Sequence, residues 1–248
     1  MNNLRIDINC DMGEGIGNEA FIMPFISSAN IACGFHAGNP DTIKRTIELA
    51  LNHNVAIGAH PGYDDRANFG RVSQFISLLD LAELIATQFY QFERIAQSMG
   101  APIHHIKLHG ALYNDCAKDP ALSKTFIQTI HAIDPLLCIY GLSGSPTIQE
   151  AIVMGQPFAR EAFADRSYQN NGQLTPRHLD QAMLENIDQV NAQVLSIIKN
   201  QTICSLQGDI IPMKADTICI HGDGNQAIDF AEGIFNELKN NQIEIKQC

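Results

Sequence analysis

Seven short apolar runs in this chain each end in acidic, amide, basic, hydroxyl or imidazole side chains, and those endings hold most of the residues able to do chemistry. They read Ile6-Asp7-Ile8-Asn9-Cys10-Asp11, Asn30-Ile31-Ala32-Cys33-Gly34-Phe35-His36, Val55-Ala56-Ile57-Gly58-Ala59-His60, Ile106-Lys107-Leu108-His109, Ile139-Tyr140-Gly141-Leu142-Ser143, Glu161-Ala162-Phe163-Ala164-Asp165-Arg166 and Ile218-Cys219-Ile220-His221-Gly222-Asp223. A buried parallel strand stays apolar until its C-terminal end, where the next loop opens toward solvent and substrate. Polar groups loaded at successive strand ends predict a barrel-like βα enzyme with its site at that face.

Helical spacing fills the gaps between these runs. Asn39-Pro40 supplies an N-cap with proline at the first helical position, and Ile43, Ile47, Ala50 and Leu51 follow as one apolar stripe. Ser77-x-x-Asp80 caps a long helix that stops at Gly100, and Asp119-Pro120 and Ser145-Pro146 open two more. The spacing of Met183, Ile187, Val190, Val194 and Ile197 predicts a helix over 178–199, and Gln207-Gly208-Asp209 predicts a small hairpin. Strand and helix alternate about seven times, which implies parallel pairing with right-handed crossovers. The expected organisation is one βα-barrel catalytic domain over residues 1–248.

Composition narrows the partners. A net charge of −11 with only 16 Lys and Arg lacks the clustered cations that nucleic acid or an anionic membrane requires. The seven cysteines are scattered without a C-x-x-C pair, as in reduced core thiols. Met1-Asn2-Asn3 leads straight into a strand with no hydrophobic signal region, so a cytoplasmic location is expected.

Asp7, Asn9 and Asp11 share one side of their strand by its two-residue period, with Glu14 just beyond. Converging carboxylates are costly unless they meet a cation, a proton or a substrate donor, so Asp11 is a candidate site residue and Asp7 is equally suited to anchor the strand. His36 and His60 occupy equivalent strand ends, each flanked by glycines. With Asp11 they would make an open metal site, although no helical His-x-x-x-His supports it.

Lys107 and His109 also share a face. A lysine among apolar neighbours needs an anion, either a ligand or a carboxylate such as Asp7, Asp11 or Glu161. His104 and His105 read as ordinary residues leading into that strand. Glu161, Asp165 and Arg166 cluster at another strand end, and Arg166 with Arg177 could grip an anionic substrate. His221 and Asp223 form an i, i+2 pair suited to acid–base work or to capping. No G-x-x-x-x-G-K-[ST] loop and no G-x-S-x-G elbow occur.

Six blocks together resemble the LamB/YcsF family: Asp7-x-Asn9-x-Asp11-Met12-Gly13-Glu14, Ser28 to Gly38, Gly58-Ala59-His60-Pro61-Gly62-Tyr63, Lys107 to Tyr113, Phe163-Ala164-Asp165-Arg166 and His221-Gly222-Asp223. The likeness runs from about residue 5 to the last helix. One departure is Lys107-Leu108-His109, where family members often carry Lys-Pro-His, a change that spares both polar side chains.

The resemblance implies a seven-stranded parallel βα barrel, distorted TIM-like, of the glycoside hydrolase/deacetylase type. It also implies ATP-dependent hydrolysis of 5-oxo-L-proline to L-glutamate, as the A subunit of a 5-oxoprolinase working with subunits B and C and using ATP with Mg2+. Phosphorylating a lactam oxygen and then admitting water needs cations, carboxylates and a base. On that logic Asp11, Glu14, Lys107, His109, Asp165 and His221 are catalytic candidates, and Asn9, Asn30, Glu161 and Arg166 bind substrate. Two other readings stay open: a metal-dependent deacetylase of a sugar amide using Asp11, His36 and His60, and a non-catalytic binding subunit.

Overall fold

The computed structural model describes residues 4–224 and 226–248. Met1-Asn2-Asn3, read above as leading into the first strand, lies outside the described residues. Among the described residues there are ten strands: β1 (Arg5–Met12), β2 (Ser28–Ala32), β3 (Ala56–His60), β4 (Ile103–Lys107), β5 (Cys138–Leu142), β6 (Phe158–Phe163), β7 (Thr202–Cys204), β8 (Ile210–Pro212), β9 (Thr217–Ile220) and β10 (Glu244–Ile245). The helices are α1 (Glu19–Ile22), α2 (Pro40–His53), α3 (Leu78–Ser98), α4 (Gly110–Cys116), α5 (Pro120–Ile133), α6 (Pro146–Met154), α7 (Ile187–Asn200) and α8 (Ala227–Asn240).

Strands β1 to β6 pair in sequence order, all parallel, and β9 pairs with both β6 and β1. This closes a barrel of seven parallel strands with the helices between them, as expected. β10 extends the start of β1 beyond the closed ring, and β7 with β8 forms the antiparallel hairpin expected around Gln207-Gly208-Asp209.

Helix starts follow their caps. The Asn39 side-chain oxygen accepts from the backbone N–H groups of Asp41 and Thr42 at 3.0 Å each, and Asp119 does the same for Ala121 and Leu122. The expected helix over 178–199 is shorter than its apolar spacing suggested, because α7 begins only at Ile187, capped by Asn186. Upstream, backbone groups are committed to a partner segment: Ser167 N–H donates to Ala182 O and Leu184 N–H to Asp165 O. That pairing competes with helical hydrogen bonds and wins.

The apolar core lies between the barrel wall and the helices. On β1 the even positions Ile6, Ile8, Cys10 and Met12 join this core, and Asp7, Asn9 and Asp11 face the other way. Lys107 on β4 touches Asp11 on β1, Glu161 on β6 and Cys219 on β9, strands that do not neighbour β4, so the contacts cross the barrel interior. The interior is therefore hydrogen-bonded rather than packed with branched aliphatic side chains, which is the usual filling of such barrels. Among the described residues no helix is long and apolar enough to cross a membrane.

Candidate functional site

The polar interior is layered along the barrel axis. In the lowest layer Asp7 accepts from Ser27 Oγ at 2.6 Å, Ser28 Oγ at 2.7 Å and Thr217 Oγ1 at 2.5 Å. Burial raises its carboxyl pKa, and these hydroxyl donors pull the other way. Asp7 accordingly ties strands together and sits remote from the mouth.

In the middle layer Asn9 donates to Thr217 Oγ1 at 2.7 Å, and Asn30 donates to Asn9 Oδ1 at 2.7 Å and to Asp11 Oδ1 at 2.8 Å. His105 Nε2 meets Asn30 Oδ1 at 2.8 Å, with its ring stacked on Tyr140 at 4.0 Å. The expectation for His105 is thus overturned: it is fully buried in the barrel. Only glycine fits opposite it, since a Cβ on Gly58 would stand 2.1 Å from His105 Nε2. His105 lies two residues before Lys107 and so shares its face, a signal the adjacent His104 obscured.

Lys107 is 2 % exposed, 2.9 Å from Asp11 Oδ1 and 2.8 Å from Glu161 Oε1. Burial alone would lower its pKa, but Asp11, Cys219 and Glu161 raise it well above the ordinary value. Its charge is neutralised by two carboxylates of the chain itself, which is the carboxylate-paired alternative of the two read from sequence. Asp11 is held well below the usual carboxylate range: burial would raise it, and the His60 and Lys107 charges outweigh that.

At the mouth, Glu14, His36, His60 and His109 bring one ligand atom each within 4.8 Å of all the others. Sequence reasoning grouped His36 and His60 with Asp11. The structure adds Glu14 and His109 and puts Asp11 Oδ2 at the edge, 3.4 Å from His60 Nε2. His60 Nδ1 donates to Lys107 O at 2.8 Å and His109 Nε2 donates to Phe69 O at 2.9 Å. A carbonyl can only accept, so the remaining nitrogens, His60 Nε2 and His109 Nδ1, turn bare lone pairs toward each other at 3.0 Å when the rings are neutral.

Glu14 Oε1 is 3.3 Å from His109 Nδ1 and 3.6 Å from His36 Nε2. Glu14 Oε1 and both ring nitrogens of His36 are buried without a hydrogen-bond partner among the described residues. Burial pushes His36 down to about 3, against the pull of Glu14. Burial would raise Glu14, yet its contacts with His109 and His36 hold it at about 2.

Acceptors converging on one another and braced from behind by carbonyls fit a bound cation. Three imidazoles and one carboxylate suit zinc or a similar transition metal and not Mg2+, which prefers oxygen ligands. The Phe69-Gly70 turn, absent from the sequence reading, lies over this cluster. Phe69 adopts a left-handed φ of 56°, and a Cβ on Gly70 would come within 2.9 Å of His36 Cβ.

Beside the cluster, Asp165 accepts from His221 Nδ1 at 2.8 Å and from the His221 backbone N–H at 3.3 Å. Burial would raise Asp165, and the His221 charge lowers it. Both line a cavity of about 470 Å³ with Met183, Leu184 and Phe230. Asp223 is paired with Arg71 and takes no part in this dyad. Arg166 donates to Ala182 O and Thr175 O, so part of its guanidinium organises its own loop.

A parallel βα barrel with a buried His/Glu cluster and a His–Asp dyad at its C-terminal mouth carries chemically capable side chains where barrel enzymes place their active sites. The LamB/YcsF family pattern matches residues 6–248, and the chain belongs to that family. It is 45 % identical over 249 residues to the 5-oxoprolinase A subunit of Bordetella parapertussis, covering 98 % of this chain and 99 % of that one. The crystal structure of the lactam utilization protein from Thermus thermophilus superposes with a TM-score of 0.92 at 32 % identity, covering 99 % and 100 % of the two chains. A T48 deacetylase shares the fold alone, with a TM-score of 0.53 and 11 % identity over 99 % of this chain and 88 % of that one.

Proposed function

We propose that this chain is the A subunit of a 5-oxoprolinase, opening the lactam ring of 5-oxo-L-proline to L-glutamate with ATP as co-substrate and with partner subunits B and C. The observation that carries the reading is the convergence of Glu14, His36, His60 and His109 beside the Asp165–His221 dyad, in a chain alike over its full length to proteins named as the A subunit of 5-oxoprolinase.

A lactam is a resonance-stabilised amide, so its carbonyl must be activated before water adds. In the proposed sequence ATP transfers its γ-phosphoryl group to the lactam oxygen and leaves as ADP. Water then adds to the ring carbon, the carbon–nitrogen bond breaks with the nitrogen taking up a proton, and a second water hydrolyses the resulting γ-glutamyl phosphate to L-glutamate and inorganic phosphate. Glu14, His36, His60 and His109 would hold a transition metal, which supplies Lewis-acid polarisation of a bound oxygen when present.

The His221 imidazole, held by Asp165 at Nδ1, carries the proton between water and the departing nitrogen. Lys107 fixes Asp11 at the mouth as a positioning residue. Exclusion of bulk water follows from the burial of the cluster: His36 is 0 % and His60 1 % exposed.

The test mixes the purified chain with and without subunits B and C and follows ATP-dependent glutamate release from 5-oxo-L-proline. Turnover only in the complete mixture is expected. Full ATP-coupled turnover by this chain alone would remove the partner requirement. Deacetylation of a sugar amide by the zinc-loaded chain, with no glutamate release in the mixture, would overturn the reading.

A further inference from the structure

A cavity of about 390 Å³ opens between the loops that follow β3, β4 and β6, lined by Arg71, Lys118, Arg166 and Arg177, with Asp115 as its one carboxylate. Four of the chain's 16 cationic side chains thus gather in one place on a molecule of net charge −11. Like charges concentrate this way at a cost unless an anion sits among them.

The chain's own carboxylates do not supply that anion. Asp115 is engaged by Tyr63 Oη at 2.9 Å and Ser73 Oγ at 2.8 Å, and Arg71 is paired with Asp223. Among the described residues no carboxylate is in salt-bridge contact with Lys118, Arg166 or Arg177. Arg166 is only 4 % exposed, and its pKa is lowered to about 10 by burial and then by Arg177. Its bonds to Ala182 O and Thr175 O use two of five N–H groups, and the fork geometry of a guanidinium matches carboxylate and phosphate oxygens.

We propose that this cavity is a binding site for a small oxyanion, the carboxylate or phosphoryl group of a ligand, gripped by Arg166 and Arg177 with Lys118 at the rim. The cavity is also lined by Gly110, the residue after His109, so a ligand anchored here lies beside the His/Glu cluster. A carboxylate would come from the acid being processed, an assignment that rests on the function proposed above. A phosphoryl group would come from a nucleotide.

The test is calorimetric titration of the full chain at low ionic strength with inorganic phosphate, ATP, 5-oxo-L-proline and the neutral lactam 2-pyrrolidinone, repeated with Arg177→Gln and Lys118→Gln. Both substituted residues are exposed, and an unchanged thermal melt will show that the fold is kept. At least one anion should bind and 2-pyrrolidinone should not, with binding tenfold or more weaker in Arg177→Gln. Binding of 5-oxo-L-proline without phosphate assigns the carboxylate, and binding of phosphate and ATP assigns the phosphoryl group. No anion binding, or binding unchanged in both variants, overturns the proposal. The assay reads binding to one chain and the reconstitution reads turnover of the mixture, so either can fail without the other.

Discussion

His60 Nε2 and His109 Nδ1 face each other at 3.0 Å, each ring held from behind by a backbone carbonyl, Lys107 O on His60 and Phe69 O on His109. Two neutral imidazoles so oriented repel unless a proton or metal ion lies between or beside them. Glu14 contributes a negative charge to the same point.

The chelator-stripped chain is therefore expected to bind one equivalent of zinc or a similar transition metal. Loss of a group that merely braces a metal ligand weakens binding about 10–100-fold, so removing a ligand itself through Glu14→Gln or His109→Ala should cost at least that. Elemental analysis after dialysis against limiting metal gives the answer. Equal metal content in wild type and both variants would place the metal elsewhere.

Lys107→Met should be strongly destabilising, because it leaves Asp11 and Glu161 buried without their shared cation. Breaking such a pair costs about 3–5 kcal/mol. Urea unfolding should show the loss, with partial recovery in Lys107→Met/Glu161→Gln. A single variant as stable as wild type would mean that Asp11 and Glu161 find another counter-charge.

Acid should destabilise the fold in two overlapping windows. His36 has its folded pKa lowered from 6.5 to about 3, so between those values the unfolded chain binds a proton that the native chain refuses. Stability therefore falls as pH drops through that range, by about 1.4 kcal/mol per pH unit for one proton. Glu14, lowered from 4.5 to about 2, contributes stability above pH 4.5 that is lost as pH falls toward 2. Urea midpoints at pH 7, 5.5 and 4 should fall in that order for metal-free protein, and less steeply for His36→Gln. A flat profile would show that His36 protonates in place.

Asp165→Asn should leave the fold intact and slow turnover of the reconstituted assembly by about 10²–10⁴-fold, the usual worth of a positioned acid–base group. The loss should fall on kcat with KM little changed, and the pH–rate profile should be altered. An unaltered profile would make the Asp165–His221 contact a purely structural tie.

Much of the barrel was legible in the linear pattern. The period of two along Asp7, Asn9 and Asp11 names the inward face of β1 without coordinates, and Asn39-Pro40 and Asp119-Pro120 mark helix starts because caps are local chemistry. The start of α7 was not legible, since backbone pairing of 182–184 with 165–167 suppresses a helix that the apolar spacing favours. His105 was misread because its role depends on Asn30, 75 positions away, and on the missing side chain at Gly58.

The sequence by itself determined which side chains reach the strand ends, because strand periodicity and capping act over a few residues. Only the tertiary structure decided their partners. Closure of β9 onto β1 wraps the inward faces around one axis, so Lys107 meets Asp11 and Glu161 across the interior. Glu14, His36, His60 and His109 are brought together by three separate strand-end loops and the end of β3, and the spacing between them in the chain carries no trace of the 4.8 Å within which their ligand atoms lie. Burial then sets their charge states, a property of the assembled dielectric and not of any local run of residues.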